Sequence, residues 1–179
     1  DFNYGVLTEE LTSKIIKLAR EKNIFISADS QSSSQIGDLK KYKKVDLITP
    51  TEHETRMAIN DYNSGLTSII QKIKNKCDAK FVLMKLGPDG LLIFNSLLKT
   101  KSKHTDLIKA LNTSPKDTNG AGDSLLVSAS LSMYKNNNIW LSALIGSLSA
   151  SIQVNKVGNI YNSTNELLEL IKVLENWMQ

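Results

Sequence analysis

A seven-residue stretch, Asp117-Thr118-Asn119-Gly120-Ala121-Gly122-Asp123, constrains the fold of this chain more than any other. Its two glycines allow backbone conformations and close approaches that a Cβ atom would forbid. After it the sequence becomes apolar at helical spacing, which predicts a helix that begins near Gly122. The apolar positions are Leu125, Leu126, Ala129, Leu131 and Met133. The amides from Gly120 to Asp123 should therefore lie in the first helical turn, where they lack intrahelical partners and the helix dipole is positive.

Such a turn is an anion-binding site, and phosphate is the anion that fits it best. The carboxylate of Asp123 would repel a bound phosphate unless it had a chemical task there. A general base that accepts the proton of an attacking hydroxyl has such a task. The alternative is structural: a glycine-rich turn in which Asp123 caps the helix and favours its N-terminus. The seven residues by themselves leave both interpretations open.

The composition indicates one globular domain with a sizeable core, because the chain has 179 residues, 41% hydrophobic and 22% charged. The net charge of +4 comes from scattered lysines, so we expect a solvated lysine face and no nucleic-acid partner. Cys77 is the only cysteine, which excludes an internal disulfide or a zinc site built from cysteines and indicates a reducing cytoplasm. No apolar run reaches the ~18 residues of a membrane span, so we expect no membrane partner.

Strands and amphipathic helices alternate along the chain. We predict strands at 24–28, 45–49 and 80–85, a tight turn at 86–90 into a strand at 91–94, and a short strand near 107–111. We predict helices at 8–22, 64–76, 139–154 and 167–177, besides the one near Gly122, and a short helix near 36–42. The first helix has an apolar face made of Leu11, Ile15, Ile16, Leu18 and Ala19. This alternation is typical of an α/β sheet with helices on both faces.

Two segments have the spacing of a capping box, in which a hydroxyl and a carboxylate three residues later satisfy each other's backbone amides. They are Thr51 to Glu54 and Ser163 to Glu166. For Thr51 and Glu54, helix capping alone could explain both residues.

Asp29 follows the first predicted strand, at a position where ligands bind in open α/β sheets. It is also an ordinary residue with which to begin a loop, and both interpretations stay open. The two histidines, His53 and His104, share no ligand spacing with each other or with Cys77. We therefore expect no metal held by histidine.

Taken together, these features resemble the second half of a ribokinase-like sugar kinase of the PfkB family, over nearly the whole chain and in the same order. The stretch 117–123 fits the family motif D-T-x-G-A-G-D at every fixed position. Ile48-Thr49-Pro50 resembles the strand end before the family's N-x-x-E motif, and Lys85-Leu86-Gly87-Pro88-Asp89-Gly90 resembles its L-G-x-x-G turn. Residues 1–7 and 154–158 are most similar to the heptose 7-phosphate kinase branch, which reads approximately D-Y-x-K-G-x-L and V-G-K-x-G there.

The resemblance implies the C-terminal portion of a ribokinase-like three-layer αβα sandwich, with a mostly parallel sheet and a β-hairpin. Residues 1–179 would form the nucleotide and phosphate side of a single kinase domain. The N-terminal sugar-binding half and the lid of that domain have no counterpart in this sequence. The chain would therefore be a fragment of a longer gene product or a natural short relative, and we expect it to be weakly active or inactive alone.

The resemblance also implies an activity, the ATP-dependent phosphorylation of a hydroxyl on a sugar or sugar phosphate, with heptose 7-phosphate indicated by the branch. Asp123 would be the base, and the amides of Gly120, Ala121, Gly122 and Asp123 would form the anion hole. Glu54 would contact Mg²⁺. The residues that would bind or border ATP are Lys85, Gly87, Gly90, Asp117, Thr118, Asn155, Lys156 and Gly158. The resemblance is compatible with a homodimer.

Three positions depart from the family pattern. Thr51 stands where N-x-x-E has Asn, Ser30-Gln31 follow Asp29 where the heptose kinase branch tends to have Pro-Lys, and Asn155 replaces the first Gly of V-G-K-x-G. The first departure and the missing half favour an alternative, a non-catalytic nucleotide-binding or interaction domain derived from a sugar kinase. A dinucleotide-binding oxidoreductase is a poor third candidate because no G-x-G-x-x-G follows a strand.

Overall fold

A computed structural model describes residues 1–31, 37–97, 104–158 and 160–177 of the chain. The chain divides into two compact units. The first unit contains Asp1–Leu86 and Leu92–Leu107, and the second contains Gly87–Leu91 and Ile108–Gln179. Within the described ranges, no helix combines the length and the hydropathy needed to cross a bilayer.

A five-stranded sheet in the order β1-β2-β3-β4-β5 forms the framework of the first unit. The strands are β1 (Ser27–Ala28), β2 (Leu47–Ile48), β3 (Phe81–Lys85), β4 (Leu91–Asn95) and β5 (Thr105–Ile108). The first three are parallel, and Ala28, Ile48 and Val82 lie side by side on them. Their carboxyl ends therefore meet at one edge of the sheet, where open α/β sheets bind ligands.

The last two strands return by hairpins. Ser96 N donates to Lys80 O at 3.4 Å, which sets the end of β4 beside the start of β3. Asn95 N donates to His104 O at 2.9 Å, which does the same for β4 and β5. The sheet is therefore mixed, and the predicted hairpin after residue 85 is confirmed.

The strands are shorter than the sequence predicts. β1 begins at Ser27 instead of residue 24, because the Ile26 N–H donates to the Asp46 carboxylate at 2.8 Å and not to a neighbouring strand. β5 occupies Thr105–Ile108 and so begins two residues before the predicted 107–111. Of the predicted short helix at 36–42, the structure contains a 3₁₀ turn at Leu39–Lys41, and residue 36 lies outside the described ranges.

Three helices complete the first unit: α1 (Glu9–Glu21), α2 (Glu52–Ile59) and α3 (Leu66–Cys77). α3 buries Ile69, Ile70 and Ile73 in a core that also contains Val82 and Met84 of β3. These apolar positions on α3 recur at three- and four-residue spacing, as in a helix that packs one face against a sheet.

The predicted apolar face of α1 is only partly correct. Thr8 caps the helix, and its Oγ1 accepts from Leu11 N at 3.2 Å. Ile16 is buried, but Leu11, Ile15 and Leu18 are 40%, 49% and 53% exposed. The helix packs through the line formed by Thr12 and Ile16, which are its two buried residues.

The second unit contains α4 (Ala121–Asn136), α5 (Ile139–Gln153) and α6 (Thr164–Trp177). α4 and α5 are joined by two asparagines with different roles. Asn137 ends α4 in the left-handed conformation, with φ of 50°, whereas the Asn138 side chain accepts from Trp140 N and Leu141 N to begin α5. Both conformations suit asparagine, because its short amide tolerates positive φ and caps helices.

α4 packs closely on α5 because the contact contains Gly146. A Cβ atom at this position would lie 3.1 Å from both Ala129 Cβ and Leu125 O. Gly146 therefore permits the close packing of the two helices. On α4, Leu125, Ala129 and Met133 are buried.

The opposite face of α4 is exposed. Leu131 belongs to the predicted apolar series but is 66% exposed, and Val127 and Tyr134 beside it are 55% and 73% exposed. These three residues follow Asp123 at helical spacing, so they share its face. The apolar pattern of α4 therefore has two faces, of which this unit buries one.

Candidate active site

Helix α4 begins within the seven-residue stretch, as the sequence predicts. Gly120 is the N-cap, with φ of +75°, a conformation that favours glycine. The first helical hydrogen bond runs from Ser124 N to Gly120 O at 2.9 Å. The N–H groups of Gly122 and Asp123 precede this bond and have no partner inside the helix. The first turn therefore offers two amides to an anion at the positive end of the helix dipole.

The remaining two residues of the predicted anion hole have structural roles. Gly120 supplies the turn, and Ala121 N donates to Thr118 O at 3.3 Å. Asp123 is the third residue of α4, and its side chain is exposed. Among the described residues no backbone amide donates to its carboxylate. The capping interpretation of Asp123 therefore lacks the hydrogen bond that it requires. The Asp123 carboxylate is thus exposed beside two unpaired amides, and its role as a general base stays a prediction.

The beginning of the stretch is tied to the loop that follows α5. Lys116 N and Asp117 N donate to Val154 O at 2.8 and 3.2 Å. The Asp117 carboxylate accepts from Asn119 N at 3.0 Å and from Gly158 N at 2.9 Å. These backbone hydrogen bonds favour the ionised carboxylate and lower the pKa of Asp117 below its ordinary value. Asp117 thus links the anion loop to residues 154–158.

Gln153, which the sequence analysis missed, makes a second link between the same two loops. It is 1% exposed, and its Nε2 donates to Asn119 O and to Gly158 O, both at 3.3 Å. Buried polar groups are normally paired in this way, and here both partners are backbone carbonyls of site loops. The only sequence signal was that Gln153 is the first amide or charged side chain in α5.

Lys156 is directed toward the start of α6. Its Nζ lies 2.9 Å from Glu166 Oε1 and donates to Tyr161 O at 3.0 Å and Asn162 Oδ1 at 3.1 Å. Glu166 also accepts from Ser163 N at 2.7 Å, which confirms the second capping box. The Ser163 backbone bond, and then Lys156, lower the pKa of Glu166 to about 2. Lys156 therefore fixes the loop, and its contact with a nucleotide stays a prediction.

Two further predicted nucleotide residues lie on the same loops. Asn155 Nδ2 donates to Ser151 O at 3.3 Å, which anchors it to the last turn of α5. Thr118 is exposed next to the first turn of α4. Asp117, Thr118, Asn155, Lys156 and Gly158 are thus all parts of the loop pair held by Asp117 and Gln153.

Gly87 and Gly90 flank a 3₁₀ turn at Gly87–Asp89, and both have positive φ, of 60° and 104°. Their surroundings differ. A Cβ atom on Gly90 would lie 2.0 Å from Ile108 O and 2.8 Å from Ala110 N. A Cβ atom on Gly87 would meet nothing within 4 Å. Gly90 is therefore required by the fold, whereas Gly87 leaves open space beside the backbone.

Glu54 and Lys85, the other two predicted site residues, lie in the first unit. The Glu54 carboxylate accepts from Thr51 N at 2.7 Å, and Glu54 N donates to Thr51 Oγ1 at 3.1 Å, so the first capping box is confirmed. Lys85 is the last residue of β3, and its Nζ lies 2.7 Å from Asp29 Oδ2. This ion pair lies at the carboxyl edge of the parallel strands, and the sequence did not predict it.

We expect replacement of Gln153 by Met to loosen the two loops. Met has a similar length but cannot donate, so Asn119 O and Gly158 O each lose a hydrogen bond. At ~0.5–1.5 kcal/mol per bond, the free energy of unfolding should fall by about 1–3 kcal/mol. Urea unfolding measures this loss, and hydrogen exchange at the Gly158 amide should become faster.

The control is Asn112→Ala, which removes the side-chain hydrogen bonds to Ser151 O at 3.4 Å and from Ser114 N at 2.8 Å but leaves both hydrogen bonds of Gln153 in place. At the same energy per bond it should lower the free energy of unfolding by about 1–3 kcal/mol, whereas hydrogen exchange at the Gly158 amide should stay unchanged. Equal acceleration of exchange at Gly158 in the two variants, or unchanged exchange there in Gln153→Met, would contradict the role of Gln153 in linking the loops.

Residues 2–166 match the sequence family described as pfkB family carbohydrate kinase. The chain belongs to this family. The stretch 117–123 lies within this match, and the fold places it at the start of α4.

Curated relatives and solved structures agree with pfkB membership. The bifunctional protein HldE of Aliarcobacter butzleri is 29% identical over 173 residues, which are 94% of this chain and 34% of that protein. Phosphofructokinase-2 from Escherichia coli, solved in complex with potassium, aligns with a TM-score of 0.77 at 20% identity and covers 94% of this chain. Ribokinase from Arabidopsis thaliana, solved with ribose and ATP, aligns with a TM-score of 0.77 at 17% identity and covers 92%.

These structures establish the ribokinase-like α/β fold that the resemblance implies. The chain spans about a third of the length of the HldE relative and 53% of the phosphofructokinase-2 and ribokinase chains.

Proposed function

We propose that this protein is part of a kinase domain that transfers the γ-phosphoryl group of ATP to a hydroxyl of a sugar or sugar phosphate. The observation that carries the proposal is the start of α4, where the exposed Asp123 carboxylate adjoins the unpaired amides of Gly122 and Asp123. Membership of the pfkB family supports it, because this is the stretch that carries the family motif.

In the proposed reaction Asp123 accepts the proton of the attacking hydroxyl. The hydroxyl oxygen forms a bond to the γ-phosphorus, the bond from that phosphorus to the bridging oxygen breaks, and ADP leaves with the electron pair. Negative charge on the transferred group is stabilised by the Gly122 and Asp123 amides, which are fixed before the reaction by the turn at Gly120. The loop pair held by Asp117 and Gln153 keeps that turn in place.

We propose that ATP lies along the loops that contain most of the predicted nucleotide residues. These are Gly87, Gly90, Asp117, Thr118, Asn155, Lys156 and Gly158. Gly87 is the position at which open space allows a ligand to approach the backbone. Mg²⁺ would be carried mainly by the phosphates, since it keeps several waters and takes one or two protein carboxylates. Glu54, near the carboxyl end of β2, is the carboxylate that we propose.

We further propose heptose 7-phosphate as the acceptor and a cytoplasmic location. The support is the similarity of residues 1–7 and 154–158 to the heptose 7-phosphate kinase branch, together with the HldE relatives. The test is to express the longest reading frame that contains this segment and to assay ATP turnover against a panel of sugars and sugar phosphates. We expect turnover with heptose 7-phosphate above that with fructose 6-phosphate and ribose. Faster turnover with fructose 6-phosphate or with ribose would contradict the proposal that heptose 7-phosphate is the acceptor.

Nucleotide binding separates the kinase module from the alternative of an interaction domain. We expect calorimetry to detect ADP and ATP binding to the 179-residue chain, because seven predicted nucleotide residues belong to the second unit. Binding should weaken when Gly87 is replaced by Val, whose side chain would occupy the open space. Gly87→Ala, which must also adopt the positive φ but adds only one methyl group, is the control. Absence of nucleotide binding, with no turnover by the full reading frame, would favour the interaction domain.

A further inference from the structure

The carboxyl edge of the parallel strands carries an ion pair between Asp29 and Lys85. Asp29 directly follows β1, and Lys85 ends β3. The Lys85 ammonium lies 2.7 Å from Asp29 Oδ2, and the two side chains are only 18% and 14% exposed. At this degree of burial the attraction between the two charges is screened much less than on an open surface.

The pair leaves two buried oxygens at the same edge without hydrogen-bond partners. One is the second Asp29 oxygen, Oδ1, and the other is the Thr49 hydroxyl. Thr49 is fully buried, and its N–H donates to Ala28 O at 3.2 Å. This bond continues the parallel register one residue past β1 and β2, so Asp29 and Thr49 are neighbours on one face of the sheet.

Mg²⁺ and Mn²⁺ bind oxygen ligands, among which carboxylates are common, and a threonine hydroxyl can serve as a further ligand. No group of three or more His, Cys, Asp or Glu side chains gathers for a metal in the part of the chain that the structure describes. Asp29 Oδ1 and Thr49 Oγ1 are buried oxygens at this edge without hydrogen-bond partners. The Lys85 ammonium is the positive charge that would repel a metal ion there.

We propose that the Lys85 ammonium, which is paired with the Asp29 carboxylate, keeps divalent metal ions from binding at this edge of the sheet. A divalent ion on Asp29 Oδ1 would lie within a few ångströms of the ammonium, where like charges repel strongly at low screening. This inference rests on the Asp29–Lys85 geometry, so it stands or falls separately from the kinase activity.

In this proposal the Lys85 ammonium pairs with Asp29, whereas the resemblance implies a direct contact with the nucleotide. The ammonium neutralises Asp29, and Lys85 N donates to Pro50 O at 2.8 Å, which fixes the residue from the backbone side as well. Its isolated bridge with Thr51 also aligns it with the residue that departs from the family's N-x-x-E motif.

The test is a Mn²⁺ titration of the 179-residue chain, with free Mn²⁺ followed by electron paramagnetic resonance. We expect Lys85→Met to bind Mn²⁺ about tenfold or more tightly than the unmodified chain, because the ammonium is gone and Asp29 and Thr49 are free. Asp29→Asn introduced into Lys85→Met should abolish the gain. Lys85→Arg, which keeps the charge, is the matched control and should show no gain.

Circular dichroism and cooperative thermal unfolding establish that each variant is folded. A folded Lys85→Met with unchanged Mn²⁺ affinity would overturn the proposal. If Lys85→Met does not fold, Asp29→Asn in the otherwise unmodified chain decides: unchanged Mn²⁺ affinity supports a blocked site, and weakened affinity overturns it because Asp29 would then already be a ligand.

Discussion

Replacement of Asp123 by Asn should reduce kcat for sugar phosphorylation by ~10²–10⁴, the usual contribution of a positioned general base. The amide is nearly isosteric with the carboxylate but cannot accept the proton of the acceptor hydroxyl. Because Asp123 is exposed and holds no backbone amide of α4, the substitution should leave folding and the KM for ATP nearly unchanged. The measurement is steady-state turnover by the longest reading frame that contains this segment, with the preferred acceptor.

The control for this prediction is Glu169→Gln, which neutralises another exposed carboxylate of the second unit on α6. It should leave kcat unchanged. Turnover by Asp123→Asn within threefold of the unmodified enzyme would eliminate Asp123 as the base. A fall in thermal stability that accompanies the loss of turnover would instead point to a structural role at the start of α4.

Gly90→Ala should be strongly destabilising. The added Cβ would lie 2.0 Å from Ile108 O, and the backbone, not a flexible side chain, would have to move. The φ of 104° adds the strain of a conformation that alanine avoids. We expect a loss of about 3–5 kcal/mol in the free energy of unfolding, measured by urea denaturation.

Gly87→Ala separates the clash from the cost of positive φ. Gly87 has φ of 60° but no neighbour within 4 Å of an added Cβ. Its replacement should cost only the ~1–2 kcal/mol of a left-handed alanine. Equal losses of unfolding free energy at the two positions would mean that the backbone near Ile108 can move away from the added Cβ at little cost.

Local sequence patterns predicted the start of α4 and both capping boxes well. Each is set by a few neighbouring residues: Gly120 adopts a φ that favours glycine, and Thr51 and Ser163 bond to carboxylates three residues later. The long helix at 139–154 was equally predictable, because its apolar and small residues continue without a break until Gln153. The family motif at 117–123 was recognisable for the same reason.

Features that depend on distant residues were not predictable. Only tertiary structure brings Asp29 next to Lys85, or Gln153 next to Asn119. The first strand was predicted too long because the Asp46 carboxylate, distant in sequence, takes the Ile26 amide. The spacing of the apolar residues predicted the helix α1 correctly. It could not predict which of these residues pack against the rest of the protein.

The two-asparagine turn between α4 and α5 bears on how the site forms. Contacts between these helices join residues close in sequence, and low sequence separation favours fast folding because little loop entropy is lost. A helical hairpin of this kind can nucleate on its own turn, with Gly146 allowing close approach before the rest of the unit has ordered. The anion-binding turn therefore begins a pair of helices whose contacts join residues close in sequence. Once this pair has formed, the loop after α5 can dock on the turn.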